Sequence, residues 1–310
     1  MDIKRFFVAA LLALAGGFAL AGCSSESDAQ QTAKDASIPV SARLVAVAKL
    51  TDQQRLEDVA MNGADPFVRV AAADKLDERH QSTARAVFVD LAMHDPDPDF
   101  RRAMFARLTD PPPDTLVFIA KVAPDADIRL AAVEQLTDED SLLEIMGTAR
   151  DMNVRQAAVT RIADPARLAE IAMGDRIDVH EAAVETLTDQ ALLAQIAAAC
   201  TYEPTRLAAL NKLTDQTVIA GIARSNNNFN QKVAEIAVGK LTDQALLASI
   251  AKLTDNEALP FVRVAAVNRL TDQTALDDLA KNNSNRFVRD AAKTRLTHLR
   301  RQQELREQQE

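Results

Sequence analysis

The stretch Leu187-Thr188-Asp189-Gln190 returns as Leu241-Thr242-Asp243-Gln244 and again as Leu270-Thr271-Asp272-Gln273, each time behind an alanine-rich run that opens on a valine. A residue in the place of that leucine recurs at Leu50, Leu76, Leu108, Leu136, Ile162, Leu187, Leu213, Leu241, Leu270 and Leu296, at intervals of 25 to 32 residues. Self-similarity at such a period marks stacked supersecondary units, each unable to bury its own apolar face and each completed by its neighbours. The 310 residues therefore read as a quasi-linear array, and length alone sets no count of globular domains.

Each interval holds two helical patterns. The first carries Leu-x-x-Ile-Ala, as in Leu168 to Ala172 and Leu193 to Ala197. The second carries Val-Arg-x-Ala-Ala-Val-x-x-Leu or a close variant, as in Val68 to Leu76, Ile128 to Leu136 and Val262 to Leu270. Apolar residues at i, i+3 and i+4, with aromatics at 4% of the chain, favour helix over strand. On a helical wheel Val68, Ala71, Ala72, Ala73 and Leu76 span about 200°, so the second helix must be covered on both flanks. The aspartate of Leu-Thr-Asp reads as an N-cap, with Asp164-Pro165 and Asp110-Pro111 setting the register. Leu253-Thr254-Asp255 stands only 12 residues after Leu241 and is too close to end another unit.

These motifs resemble the short HEAT-like repeats of phycobilin-lyase relatives and are similar to the leucine-rich variant repeat of bacteria, over about residues 39–298. The resemblance implies an all-α fold, an α-solenoid of nine to ten two-helix units. The cysteine ligands of the leucine-rich variant family's iron–sulfur cluster are missing, and no cofactor is expected.

Ahead of the array, Met1-Asp2-Ile3-Lys4-Arg5 is a short cationic start, and Phe6 to Leu20 is an apolar run too short to span a bilayer comfortably. That is the layout of an export signal; the alternative is an uncleaved apolar anchor. Leu20-Ala21-Gly22-Cys23 resembles the lipobox of bacterial lipoproteins. The resemblance implies cleavage before Cys23, a diacylglyceryl group on its thiol and acylation of its new amino terminus. Ser24, where an aspartate implies inner-membrane retention, implies passage to the outer membrane. Acyl chains of this kind hold a chain at a membrane without a spanning helix. Residues 24–37 contain no large apolar side chain and read as a disordered tether with about 20 Å of reach. The expected plan is a signal peptide over 1–22, a lipidated cysteine and tether over 23–38, the array over 39–298, and a polar helical tail over 299–310.

The formal charge of −9 becomes −10 once residues 1–22, which hold Asp2, Lys4 and Arg5, are removed. That sign disfavours a nucleic-acid partner. Cys200 is the one cysteine besides Cys23, so lipidation would leave no intrachain disulfide, and Cys200 reads as a small hydrophobe at a helix end.

One column of the second helix reads Arg43, Arg69, Arg101, Arg129, Arg155, His180, Arg206, Ala234, Arg263 and Arg289. It falls inside the apolar arc. A partly buried guanidinium needs acceptors, and Asp65, Asp97, Asp125 and Asp151 stand four residues before their arginines. HEAT repeats carry a similar Asp/Arg ladder, so the structural reading is set ahead of an anion-binding stripe. A second basic column, including Lys75, Lys212, Lys240, Arg269 and Arg295, precedes the closing leucine and suits the negative end of the helix dipole. Leu44, Val70, Leu130, Leu207 and Val264, interrupted by Arg102, Gln156, Glu181, Glu235 and Asp290, are read as solvent-facing. Because second helices line the concave face of related solenoids, those five apolar residues are the candidate contact surface for a protein or peptide.

Catalytic constellations are thin. His180-Glu181 resembles the His-Glu pairs of the HEAT-repeat di-iron hydroxylases that act on deoxyhypusine, but that chemistry needs several facing pairs and this chain has one. His180 is therefore read as a ladder substitute. Asp95, Asp97 and Asp99 alternate with prolines but lack the glycine and distal glutamate of an EF-hand loop, so no metal site is assigned. The expectation is a non-enzymatic, outer-membrane-anchored α-solenoid that binds an envelope protein or peptide. The alternative is an enzyme or lyase-like chaperone on the same scaffold.

Overall fold

The computed structural model describes residues 25–224, 231–254 and 257–308; the export signal and Cys23 lie outside them. Among the described residues are 20 α-helices, one 3-10 turn at Glu78–His80 and no strand. The chain divides into two compact units, one up to Val154 and one from Arg155.

The first unit holds α1 (Glu26–Lys34), α2 (Val40–Lys49), α3 (Gln53–Asn62), α4 (Pro66–Ala73), α5 (Gln81–His94), α6 (Pro98–Phe105), α7 (Pro113–Val122), α8 (Ala126–Gln135) and α9 (Glu139–Thr148). The boundary falls within α10 (Met152–Thr160). The second unit continues with α11 (Pro165–Met173), α12 (Ile177–Thr186), α13 (Gln190–Ala199), α14 (Glu203–Lys212), α15 (Gln216–Ala223), α16 (Gln231–Lys240), α17 (Gln244–Ala251), α18 (Pro260–Arg269), α19 (Gln273–Asn282) and α20 (Arg286–Glu307). Consecutive helices pair as α1 with α2, α3 with α4, α5 with α6 and α7 with α8, and in the second unit from α11 with α12 to α19 with α20. First helices then pack on first helices, as α11 on α13 and α13 on α15, and second on second, as α12 on α14 and α14 on α16. This is an α-solenoid.

The repeated tetrapeptide makes the turn between units. Leu50, Leu136, Leu187, Leu213 and Leu270 take extended dihedrals at the C-caps of the second helices and are buried. The aspartate two residues later accepts backbone N–H groups at the start of the next first helix: Asp189 from Ala191 and Leu192, Asp243 from Ala245 and Leu246, Asp272 from Thr274 and Ala275. These bonds satisfy donors that a helix start leaves without partners. Asp164 caps α11 in the same way, with Pro165 at the first helical position. Asp110 departs from the expectation. It adopts the left-handed φ of 47°, and α7 starts three residues later, with Pro112 as N-cap and Pro113 at the first helical position. Each proline disfavours helical dihedrals in the residue before it, so the run Pro111-Pro112-Pro113 postpones the helix to its last member. Thr254 closes no unit; its N–H and hydroxyl bind the Glu257 carboxylate between α17 and α18.

The tether expected over 23–38 is corrected by the structure, because Glu26–Lys34 is helix α1 and supplies the first helix of the first pair. Its Ala29 and Ala33 are buried, small enough to pack without the leucines of other first helices. Polar side chains lock the rest. The Glu26 carboxylate accepts the Thr51 hydroxyl and the Thr51 and Asp52 N–H groups, while Gln30 and Lys34 both donate to Asp58. Low hydrophobicity misled here because these links run to residues about 25 positions away. With α1 included, 20 α-helices are described.

At the other end, α20 runs past Leu296 to Glu307. Lys293 stands exposed where preceding second helices bury Val159, Val184, Leu210, Val238 or Val267. A polar residue at that position ends the stacking surface, as a terminal repeat must.

The paired alanines divide their roles. In Ala157-Ala158 and Ala265-Ala266 the second member is fully buried and the first only half-buried, and the same holds for Ala71-Ala72 and Ala131-Ala132. Ala158→Leu or Ala266→Leu should overpack the seam and lower stability by about 1–3 kcal/mol, with a smaller loss for Ala157→Leu or Ala265→Leu. Urea midpoints for the four variants measure this. Equal losses within each pair would show that the register is misassigned.

Candidate functional site

The turn between the two helices of a pair presents carbonyl oxygens to the arginine column. Arg129 Nη1 donates to the carbonyls of Ala123 and Pro124 at 2.8 and 3.1 Å, Arg206 Nη1 to Cys200 and Thr201 at 2.6 and 3.0 Å, and Arg289 Nη1 to Asn283 and Ser284, both at 2.7 Å. Arg101 donates to the Asp95 carbonyl at 2.6 Å and Arg43 Nε to Ile38 at 2.9 Å. The arginine thus ties down the turn five or six residues before it. Carbonyls at a helix C-terminus lack intrahelical donors, and a cation there also suits the dipole.

The carboxylate partners differ from the expected pairing. The aspartate comes from the following pair of helices: Arg101 grips Asp125 through two nitrogens at 2.5 and 2.8 Å, Arg129 reaches Asp151 at 2.6 Å, and Arg43 lies 3.8 Å from Asp65. Arg69 turns to Asp90 on α5 at 2.7 Å instead of Asp97, which caps α6 by accepting the Asp99 N–H. In the second unit Arg155 pairs with Asp178 at 2.5 Å. Asp65, Asp97 and Asp151 accept N–H groups at the start of their own helices, while Asp125 makes no such cap. The carboxylate one repeat period away faces the arginine across the seam.

Beyond Arg155 the column changes its residues and partners. His180 is 2% exposed, with Nε2 at 2.9 Å from the Gly174 carbonyl and Nδ1 at 3.0 Å from the Thr205 hydroxyl. Those are the positions of the turn carbonyl and of the acceptor in the next pair, so His180 occupies an arginine's place, and Glu181 is exposed on another face. Ala234 is buried, and the fully buried Arg263 donates to the Asn283 side-chain oxygen at 2.9 Å.

At the opposite edge the glutamine of Leu-Thr-Asp-Gln forms a ladder that sequence reasoning missed. Gln190 Oε1 accepts the Thr214 N–H and hydroxyl, Gln216 those of Thr242, and Gln244 those of Thr271. Each amide NH₂ points to a carbonyl at the end of the next second helix, Lys212, Lys240 or Arg269, at 3.3 to 3.4 Å. Recurrence of glutamine immediately after the aspartate was the available signal. The second basic column acts backward: Lys75 Nζ donates to the carbonyls of Val47, Ala48 and Leu50, Lys212 to Val184 and Glu185, Lys240 to Leu210 and Asn211, Arg269 to Leu241 and Arg295 to Leu270.

The face expected to meet a partner is less open than the wheel implied. Val70 is buried at 1% exposure, and Leu44, Leu130, Leu207 and Val264 are half-buried. None is solvent-facing, because second helices stand close enough to cover the flanks of that column. Glu181, Glu185 and Glu235 are exposed on the same helices of the second unit. The large exposed apolar side chains are elsewhere, among them Phe118 and Val122 on α7 and Phe261 and Phe287 in the first turns of α18 and α20. Phe118 also borders a groove with Ala86, Val89 and Met93 of α5.

Among the described residues no group of three or more His, Cys, Asp or Glu is placed to hold a metal ion. The Asp95 and Asp97 carboxylates accept the Asp97 and Asp99 N–H groups, and Asp99 meets Arg102. Cys200 is buried, with its thiol 3.5 Å from the Ala172 carbonyl.

No family model matches the chain, and no curated protein matches it. Among solved structures it is similar to a designed armadillo repeat protein, YIII(Dq)4CqI, at 15% identity, covering 89% of this chain and 100% of that one with a TM-score of 0.15. The solenoid assignment rests on the helices and their packing described above.

Arg129→Met should lower stability by about 1–3 kcal/mol by leaving turn carbonyls and Asp151 without their donor. Asp151→Ala should also destabilise, and the double variant should cost less than the sum in urea melts; strict additivity would mean the two do not interact. The arginines also set a pH dependence. The bonds to Arg101 and Arg129 hold the Asp125 and Asp151 carboxyls below the ordinary aspartate value. A depressed folded-state pKa gives stability that is present above the unfolded value near 3.9 and lost as pH falls through the folded one. Exchange protection around Asp125 and Asp151 should therefore fall below about pH 4, and Arg129→Met should weaken that dependence. Hydrogen exchange at stepped pH measures it; protection independent of pH around both aspartates would contradict the pairing.

Proposed function

We propose that this chain is a non-enzymatic scaffold, lipid-anchored through Cys23 in the bacterial outer membrane, that holds an envelope protein or peptide on its second-helix face. The observation that carries the binding part is where the polar groups go. The arginine, glutamine and lysine columns are turned inward to backbone and side-chain acceptors of the stack. On the second helices this leaves partly open Leu44 and Leu130 in the first unit and Leu207 and Val264 in the second, with the half-buried first alanines on the same helices and exposed carboxylates such as Glu181 and Glu235 on those of the second unit. Val70, being buried, drops out of the contact set. Small side chains over a rigid helix array give an approaching segment close backbone access and little side-chain entropy to lose.

Anchoring is supported by Leu20-Ala21-Gly22-Cys23 behind a short apolar signal. Among the described residues no helix is long and apolar enough to cross a membrane. Cys23→Ser should abolish acylation, leaving precursor that still carries residues 1–22. Intact-mass measurement on membrane-extracted protein is the check, and an unmodified Cys23 in the wild type would remove the anchor from the proposal.

For the binding surface, Leu130→Glu and Leu207→Glu should keep the helical melt of the wild type and lose the partner recovered by cross-linking in envelope membranes. Arg129→Met should melt earlier and retain that partner while folded. A partner retained by both glutamate variants would place binding on another face.

A further inference from the structure

The way α1 is held determines how an acyl group on Cys23 would present the array to lipid. Two positions separate Cys23 from Ser25 in the sequence, and Ser25 is the N-cap of α1, with its hydroxyl accepting the Asp28 N–H and its own N–H donating to the Asp28 carboxylate. The next residue, Glu26, is bound to Thr51 and Asp52 in the turn between α2 and α3. Farther along α1, Gln30 and Lys34 are bound to Asp58 of α3 at 2.6 and 2.8 Å. The first turn of α1 is therefore fixed to the Leu50-Thr51-Asp52 edge. Two residues of chain span at most about 7 Å, against the roughly 20 Å of a free tether of fourteen.

We infer that in the lipidated protein the Leu-Thr-Asp edge of the first unit's N-terminal helix pairs lies against the lipid headgroups, and that the arginine-ladder edge of those pairs points away from them. This rests on the lipidation proposed above. The occupant of that edge is a phospholipid surface, and the argument for it is chain length together with the point at which the fixed chain starts. Ser25, Thr51, Asp52 and Gln54 are exposed at or near this edge. At the other end of the same helices are Ala36, after α1, and Ala64, after α3, both exposed. The nine residues of α1 place the two ends about 13 Å apart. The edge carries no large apolar side chain to insert, so it is held there by the acyl chains and not by its own affinity for lipid. In this orientation α1 does not lie flat along the surface, since its two ends would then be equally near.

The experiment uses full-length protein processed in cells, extracted and reconstituted in phosphatidylethanolamine–phosphatidylglycerol vesicles containing a headgroup-nitroxide lipid. A thiol-reactive fluorophore is placed at Ser27→Cys or Gln54→Cys for the near edge, and at Ala36→Cys or Ala64→Cys for the far edge. The buried Cys200 is the background, measured without an introduced cysteine. The expected result is a greater loss of fluorescence at positions 27 and 54 than at 36 and 64. Inserting ten Gly/Ser residues between Ser24 and Ser25 should bring the two pairs of positions together. Equal quenching at both ends without the insertion, or greater quenching at 36 and 64, overturns the orientation. Intact mass of the same preparations separates the two layers: an unacylated Cys23 defeats the anchoring itself, whereas acylated protein with equal quenching defeats only the orientation.

Discussion

A pair of helices with apolar residues over about 200° of the second helix has no element of its own to cover both flanks, and everything else in this structure answers that constraint. Val68, Ala72 and Ala73 of α4 are buried, as are Val262, Ala266 and Val267 of α18. Alanine at the closest approach sets the spacing between neighbouring second helices, and valine and leucine fill the seams at either side. Such a core has no centre. It is renewed at each seam, so the polar groups at the helix ends must also be satisfied at each seam.

Two edges meet that need by different chemistry. At the turns within pairs, an arginine binds the carbonyls of its own turn and reaches the next pair, as Arg129 does with Ala123, Pro124 and Asp151. At the turns between pairs, a glutamine amide brackets the next Leu-Thr-Asp, as Gln216 does with Thr242 and the Lys240 carbonyl. Lysines reach back to carbonyls of the preceding second helix. The bonds join residues some 22 to 30 positions apart, so each seam is closed by neighbours alone. Arg101, Arg129 and Arg155 reach aspartates of the next pair, His180 reaches the Thr205 hydroxyl, and Arg263 donates to the Asn283 side chain. Arginine and histidine can trade within one column because both meet the turn carbonyl and an acceptor of the next pair, as Arg129 and His180 do, and leaving those acceptors without a donor would be costly.

This use of polar side chains bears on function by subtraction. Columns that look like ligand sites in a linear sequence are occupied within the fold, and within each unit the second helices keep aliphatic and alanine side chains half-buried beside them. The termini carry their own instruction. Lys293 is exposed where preceding second helices bury a valine or leucine, and α1 is joined to its neighbours by Ala29, Ala33 and a set of polar links.

The period, the helical character of each half-unit and the capping aspartates were all legible in the chain, because they depend on residues within a turn of one another. Asp189, Asp243 and Asp272 act on N–H groups two and three residues away, and local spacing was enough to find them. Local spacing failed where a competing constraint lay nearby, as at Asp110, where three successive prolines moved the start of α7. It failed more widely where the partner lay one period away. Nothing within ten residues of Arg101 points to Asp125, nothing near Gln190 points to Thr214, and nothing in the polar run from Ser25 to Lys34 announces that Glu26 will grip Thr51. The burial of Val70 is of the same kind, since a wheel drawn for one helix omits its neighbours. The sequence by itself determined the repeat and its helices, which follow from backbone hydrogen bonding and apolar periodicity over a few residues. Only the tertiary structure decided which polar groups pair and which surfaces stay open, because both depend on how closely adjacent units pack.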